Sequence, residues 1–406
     1  FQAEDGIRDA QESRGLGDVY KRQMSMRLRS QDLPMAEGWA NSHVTNLLKN
    51  QLADALNKQY PNLPDDRKQK IIDDEWNKLY KQQKYQIDQQ VQAVSQQIRA
   101  FWKYDIDGRT YTYMPDIDPY TYLRYARNLL EKGQYADEIR DGKLIDNHMV
   151  APLGSEFRRE LLPYVLLWQY RIFKIFSPKI TLMQAATYFP IIFILISLIP
   201  AFFIGRRFAG IPGGIITATI VAIMPSIIVR TGWGHADTDA YNILFPLLII
   251  WIYTIMIDLE DVKRIIGFSA LAGFVTGFYA FAWRGGWWYV FDFLIAAFAI
   301  LVIGEAIQNR EHISRLKEII RRRAILGTTY LASSAVFITL FTEFRQFKDA
   351  LLQPLHFVII KAAAHPTLWP NVYTTVAELN PIDLNSVVNS CLLYTSDAAD
   401  DLLCVD

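Results

Sequence analysis

Three short acidic stretches hold the residues of this sequence best suited to chemistry. "RTGWGHADTDAYNILFPLLIIWIY" sets Asp237 and Asp239 one residue apart at the lip of a long apolar run. "YMPDIDPYTYLRYARNLL" contains Asp118 followed by Pro119, and "WPNVYTTVAELNP" contains Glu378. Carboxylates at a membrane boundary are costly unless something binds them. Hard oxygen ligands drawn from separate segments suit Mg²⁺ or Mn²⁺, and such ions neutralise a phosphate leaving group. Each stretch also has a purely structural reading. Asp118 before Pro119 has the form of a helix start, with aspartate at the cap and proline in the first turn, and Asp239 can cap the apolar run in the same way. A cap needs one carboxylate, which leaves Asp237 over.

The elements that must position these residues follow from hydropathy. The 42 basic and 42 acidic residues cancel, so net charge offers no support for a nucleic-acid partner, but the charges are segregated along the chain. Residues 24–160 are polar, whereas 181–341 is a succession of apolar runs of bilayer-spanning length. Six spans are expected, at 182–205, 210–229, 240–257, 265–282, 287–304 and 324–341. Pro190, Pro200, Pro212 and Pro225 interrupt them, as membrane helices tolerate. One set of connecting loops carries Arg206, Arg207, Lys263, Arg264, Arg310, Arg315, Lys317 and Arg321 to Arg323; the alternate set carries Arg230 and Arg284. The positive-inside rule makes the first set cytoplasmic. Asp118, the Asp237/Asp239 pair and Glu378 then all fall on the outer side, an outcome in which no acidic residue was used. A metal site outside and beside a membrane points to a lipid-borne phosphate.

The polar front half has its own pattern. Ile87, Val91, Val94, Ile98 and Phe101 form one apolar stripe at helical spacing, and Leu47, Leu48, Leu52 and Leu56 form another. "YPNLPDD" separates them, with Asp65 or Asp66 placed to cap the second helix, so an external helical hairpin is expected; a coiled-coil partner site is the alternative. Residues 1–23 and 391–406 share no pattern with the interior and resemble translated sequencing-adapter read-through. They are expected to pack against nothing. Cys391 and Cys404, the chain's only cysteines, lie in the second of these stretches, so thiol chemistry has no basis in the remainder.

"DPYTYLRYARN" at 118–128, "RTGWGHADTDAYNILFP" at 230–246 and "TTVAE" at 374–378 resemble, in order and spacing, the catalytic subunit of oligosaccharyltransferase, most closely its archaeal AglB type. The resemblance covers about residues 24–390. It implies a mainly α, polytopic membrane protein of the C-type glycosyltransferase fold, with the hairpin inserted in the first external loop. The implied layout is a first external loop at 24–180, a membrane region at 181–341 and an external loop at 342–390. The implied reaction moves an oligosaccharide from a dolichyl or other polyprenyl phosphate or pyrophosphate to asparagine in an Asn-X-Ser/Thr acceptor polypeptide, in an archaeal cell membrane with the site facing outward. On this resemblance Asp118, Asp237 and Asp239 bind Mn²⁺ or Mg²⁺; Asp118 and Glu378 engage the acceptor amide, with Thr375 beside them. Departures from the pattern imply a span before "MSMRLRSQDLP", and further spans and a globular domain with a Trp-Trp-Asp-Tyr-Gly motif after "TTVAELNP". This segment alone is not expected to transfer glycan.

His148, Arg230, His235, Arg284, Trp287 and Trp288 also fall on the outer face, where a lipid-linked donor's phosphate would lie. Arginine suits phosphate oxygens, whereas tryptophan at a bilayer interface needs no ligand to explain it. Two competing classes remain. A related glycosyltransferase using a single lipid-phosphate sugar, mannosyltransferase-like, would carry external acids but not both the Thr-Val-Ala-Glu and Asp-Thr-Asp stretches. A transporter with an external cation site would carry ionisable residues along its spans, and these spans are nearly free of them.

Overall fold

The computed structural model describes residues 17, 19–21 and 24–362 except 34 and 107, with side chains described as far as residue 354. The protein is mainly helical. Two long helices, α1 (Met35–Gln59) and α2 (Asp65–Phe101), run antiparallel. Lys49 pairs with Asp73 at 2.8 Å and Arg99 with Glu37 at 3.2 Å, contacts only a folded-back pair can make. The buried seam is Ala36, Ala40 and Val44 against Ile72 and Ile87. Leu47 and Phe101 depart from the expected stripes and are exposed, because the α1 seam steps strictly by four and Phe101 ends its helix. Asp65 and Asp66 do not cap α2; Pro64 holds the cap position, and the two acids lie in the first turn, where they complement the helix dipole.

A β-hairpin, β1 (Lys103–Ile106) with β2 (Arg109–Thr112), leads from the helical pair into α3 (Asp118–Glu131). A small antiparallel sheet follows, β3 (Glu138–Arg140), β4 (Lys143–Asp146) and β5 (Ser155–Phe157), and is tied to α3 by Arg124. The guanidinium contacts Asp137 and lies 2.5 Å from the fully buried Asp146, which also accepts from the Tyr125 hydroxyl at 2.5 Å. Burial alone would raise Asp146, but these hydrogen bonds and one from His148 N outweigh it and hold the carboxyl well below the usual range. Helix α4 (Leu161–Phe176) buries Leu162 and Leu166 yet exposes Trp168, Ile172 and Ile175, the two-sided apolarity of a helix lying at a bilayer surface.

Five stretches among the described residues are long and apolar enough to cross a membrane. The first, Leu182–Ile223, is 42 residues long and contains α5 (Leu182–Ala186) and α6 (Phe189–Ile223). It does not run straight. A Cβ on Gly214 would stand 2.7 Å from the Phe202 ring, and one on Gly205 would stand 2.3 Å from Thr217 Oγ1. On a straight helix such residues would be about 18 Å apart. The chain therefore doubles back at Ala209 and Gly210, where the backbone leaves helical values. This stretch thus supplies two passes, the second extended by α7 (Pro225–Thr231).

The remaining passes are α8 (Tyr241–Met256), α9 (Val262–Ala282), α10 (Trp288–Gln308) and α11 (Ile313–Phe341). Helix α11 starts well before the expected residue 324, because its polar first turns are held by Glu318–Arg322 and Arg323–Glu305 pairs that hydropathy does not register. Helix α12 (Phe344–Ala362) occupies part of the segment read as a loop. Two ends of the bundle can be told apart. Arg207 pairs with Asp258, Arg322 with Glu260 at 3.4 Å, and Arg323 donates to Ile257 O, so the three basic loops gather at one end. Arg230 with Asp239 and Arg284 with Arg159 O mark the other.

Candidate active site

Two of the three acidic stretches, that of Asp118 and that of Asp237 and Asp239, meet at the end opposite the basic loops. Asp237 precedes a single 3₁₀ turn, Thr238–Ala240, and its Oδ1 accepts from Thr238 N at 2.5 Å. Helix α8 then begins after Ala240 with no side-chain cap. The expected division is thus reversed: Asp237 caps the turn and Asp239 is the carboxylate left over. Asp118 caps nothing either. Ile117 holds the α3 cap position and Asp118 is the first helical residue, with its carboxylate free of capping duty.

Gly234 fixes how the two loops meet. Its φ is +86°, and a Cβ there would stand 2.6 Å from Pro115 Cδ, so the GWGHAD loop lies directly against the MPDIDP loop. Gly234 N also donates to Thr187 O at 3.0 Å. Gly234→Ala is expected to cost roughly 1–3 kcal/mol through backbone strain and this clash. Thermal unfolding of the detergent-solubilised protein measures it; an unchanged midpoint would mean the loops are not wedged together here.

The acids stand near enough to perturb one another's charge. The Asp237 carboxyl is pushed up to about 6, chiefly by burial, with repulsion from Asp239 and Asp118 added and hydrogen bonds from Thr238 opposing. Burial also raises Asp239, opposed by Arg230, whose Nη1 is 3.8 Å away, and by His235; Asp116 and Asp118 push it further up. Tyr122 lies among Glu160, Asp237 and Asp118, and burial in that company raises its hydroxyl far above the ordinary value. His235 is held below its ordinary value by burial, against which the backbone carbonyls of Gly232 and Trp233 and the charges of Asp116 and Asp239 act. Crowded carboxylates are hard oxygen donors of the kind a divalent cation takes.

A second feature adjoins this one. A cavity of about 750 Å³ is lined by Arg158, Arg159 and Arg284 above Phe281, Leu340 and Phe341. Arg158 pairs with Glu343, and Arg284 Nη1 is buried without a partner among the described residues. Glu160 links the cavity to the acids: burial raises it, Arg284 pulls it back and Asp237 pushes it up. Sequence reading missed Glu160, Asp116, Arg158 and Arg159. Asp116 and Asp118 repeat the one-residue spacing of Asp237 and Asp239, which was a legible signal. Arg158 and Arg159 are basic exceptions on the acidic end, as Arg230 and Arg284 are.

The other expected residues divide. His148 belongs to the Arg124 network, with Nδ1 3.0 Å from Arg124 Nη1 and 3.2 Å from Asp137. Asp137, Asp146 and His148 offer atoms within 4.8 Å of one another, and the Arg124 guanidinium already bonds both carboxylates, so the cluster braces the sheet. Trp287, expected near the donor, is 1% exposed and packs against Phe291 at 5.7 Å; it is a core residue. Trp288 is half-buried against the same core. Thr375 and Glu378 lie outside the described residues.

The structure is a polytopic helical bundle with acids and arginines clustered at one end. The N-terminal model of the oligosaccharyl transferase STT3 family matches residues 91–396, and the chain belongs to that family. It is an integral membrane protein whose mainly α, polytopic architecture is the one implied by the C-type glycosyltransferase resemblance. Among curated relatives it is similar to the dolichyl-phosphooligosaccharide-protein glycotransferase of Methanococcus voltae, 31% identical over 310 residues that cover 71% of this chain and 33% of the relative. The protein of the same name from Methanocaldococcus jannaschii is 26% identical over 359 residues, covering 68% of this chain and 38% of the relative. Among solved structures, the archaeal oligosaccharyltransferase AglB from Archaeoglobus fulgidus, in complex with an inhibitory peptide and a dolichol-phosphate, aligns with a TM-score of 0.46 and 14% identity over 72% of this chain and 34% of that one. The chain spans about a third of the length of the curated relatives it matches.

Proposed function

We propose that this chain is part of a membrane-embedded oligosaccharyltransferase that transfers an oligosaccharide from a polyprenyl phosphate or pyrophosphate to the asparagine of Asn-X-Ser/Thr in an acceptor polypeptide. The observation that carries the reading is the convergence of Asp118 with Asp237 and Asp239 at the end of the bundle opposite its basic loops, in a chain of this family. Positive-inside orientation then puts the site outside the cell membrane.

Asp118, Asp237 and Asp239 would hold Mn²⁺ or Mg²⁺. When bound, that ion supplies stabilisation of the negative charge that develops on the departing phosphate. Arg230 and Arg284 face the same charge, and the Arg158–Arg159–Arg284 cavity offers guanidinium groups above an apolar floor, matched to a phosphate carried on a lipid chain. Trp288 is the remaining aromatic candidate beside the donor. An amide nitrogen is a poor nucleophile because its lone pair is delocalised. Asp118 and Glu378, accepting from its two N–H groups, would hold it for attack on the anomeric carbon, with Thr375 beside them at the acceptor.

The test is made with the full-length parent protein in nanodiscs, given a lipid-linked oligosaccharide and a fluorescent Asn-X-Thr peptide. Peptide glycosylation that requires Mn²⁺ or Mg²⁺ and is lost with a Gln-X-Thr peptide is the expected result. Transfer of a single sugar to a non-peptide acceptor would instead favour the lipid-phosphate-sugar class.

Metal binding should also be visible in stability. Asp237's carboxyl is raised from its unfolded value of about 4 to about 6, so between those values the folded state holds the extra proton. Without metal, acidification through about pH 6 therefore favours the folded protein, and that contribution is lost as pH rises. A cation competes for the same oxygens. Thermal stabilisation by Mn²⁺ is accordingly expected to be larger at pH 7.5 than at pH 5.5; equal shifts would remove Asp237 from the ligand set.

A further inference from the structure

At the end of the bundle where the basic loops gather, helix α11 begins well before its neighbours. Gly273 and Gly277 on α9 abut Ser333 and Phe337 on α11, the same separation in sequence in both pairs, so the two helices run parallel with Lys263 level with Arg323. Residues 313–321 therefore project about 13 Å beyond the first residue of α9. Helix α10 goes only about one turn past the same level, since Glu305 pairs with Arg323 and the helix ends at Gln308. The polar headgroup layer is about 5–7 Å deep on each side of the hydrocarbon, so the projecting turns of α11 pass through it.

Their side chains suit neither water nor acyl chains. Ile313, Lys317, Ile320, Arg321 and Ala324 recur at helical spacing on one face, and all are exposed. Ile313 is 65% exposed and Ile320 45%, and Ile307 at the end of α10 is 61% exposed. In solvent the isoleucines of such a face are wet, and among acyl chains its cations are stranded. At headgroup depth both are satisfied, because long basic side chains reach phosphates while the isoleucines meet the first methylenes. Six basic residues fall within 310–323 against two acidic ones. Glu318 takes Arg321 and Arg322, and Glu305 takes Arg323, whereas Arg310, Arg315, Lys317 and the neighbouring Lys263 meet no carboxylate among the described residues.

We propose that this projecting segment is a binding site for acidic phospholipid headgroups, with Arg310, Arg315, Lys317 and Lys263 on the phosphate oxygens and Ile313 and Ile320 at the acyl boundary. A basic cluster directly beyond a membrane span attracts anionic lipid by about fivefold per cation. A nucleic acid or an acidic protein would satisfy the cations and leave the isoleucines wet; a lipid answers both. The site is independent of the glycosyl-transfer reading.

The test places the full-length parent protein in phosphatidylcholine nanodiscs carrying a trace of photo-crosslinkable phosphatidylglycerol or photo-crosslinkable phosphatidylcholine, with labelled peptides mapped by mass spectrometry. The peptide covering 310–323 is expected to take the phosphatidylglycerol probe about tenfold or more over the phosphatidylcholine probe at low salt. Arg310→Gln/Arg315→Gln/Lys317→Gln, three exposed substitutions that break no ion pair among the described residues, should abolish the preference, and the charge-keeping Arg310→Lys/Arg315→Lys should retain it. Lys317→Glu alone should lower it severalfold, which keeps the test decisive should the triple variant fail to fold. Equal labelling by the two probes in the parent, or an undiminished preference in the triple variant or in Lys317→Glu, would overturn the site. Loss of the preference in the lysine variant would overturn it too, since charge would then not be what the lipid reads. Complete suppression of phosphatidylglycerol labelling by an RNA oligonucleotide at equal phosphate concentration would assign the patch to nucleic acid instead.

Discussion

Asp237→Asn in the full-length parent enzyme is expected to cut peptide glycosylation by about a hundredfold or more while leaving the fold intact, the loss typical of removing one preorganised charge-stabilising group from a reacting centre. Asp237 holds two positions at once in this structure. Its Oδ1 caps the 3₁₀ turn through Thr238 N, and its charge is crowded by Asp239 and Asp118. Asparagine keeps a carbonyl acceptor and is a favoured cap, so the turn survives. It removes the crowded charge, so without metal the variant should melt at or above the parent's midpoint. It is also a poorer ligand for a hard divalent ion, so Mn²⁺ should stabilise the variant far less than the parent. Those three readouts, lost transfer, undiminished apo stability and weakened metal response, separate ligand loss from unfolding. A variant that keeps the parent's Mn²⁺ stabilisation would show that Asp237 acts as a cap and nothing more.

Most of the architecture was legible because burial in a bilayer imposes long apolar runs. The reversal at Ala209 and Gly210 was placed correctly by the charged pair at Arg206 and Arg207, although the helix there is nominally continuous. What stayed hidden is short or polar. Strands β1 to β5 are three or four residues long and carry no alternation that hydropathy can detect. The first turns of α11 are held by ion pairs, and pairing partners eighteen residues apart, such as Glu305 and Arg323, leave no periodic trace.

The site divides along the same line. Asp118, Asp237 and Asp239 stood out because each lies where its chemical type is costly. Which of them caps did not, since the sequence cannot say whether Asp237 or Asp239 begins the turn; the backbone at Asp237, extended before Thr238, decides it. Glu160 and the Arg158–Arg159 pair were unreadable for another reason. Glu160 comes near Asp237 at the N-terminus of α4, a tertiary contact with no local signature, and Arg284 joins the arginine pair from 125 residues away by donating to Arg159 O.

Glu378→Gln in the full-length parent should also reduce transfer to an Asn-X-Thr peptide by about a hundredfold or more, but with a different signature. The proposed role of Glu378 is at the acceptor amide, not on the metal. Glutamine keeps the size and one carbonyl acceptor and removes the charge, so Asp118, Asp237 and Asp239 would remain able to bind Mn²⁺, and the metal-dependent thermal shift should match the parent's. The lost rate should not be recovered by raising Mn²⁺, whereas in Asp237→Asn part of it should be, because a weakened site fills again at higher metal. Plotting glycosylation rate against Mn²⁺ for both variants distinguishes the two residues on one measurement. If Glu378→Gln transferred glycan at the parental rate at saturating Mn²⁺, its place at the acceptor amide would be wrong, and the likeness at 374–378 would be coincidence.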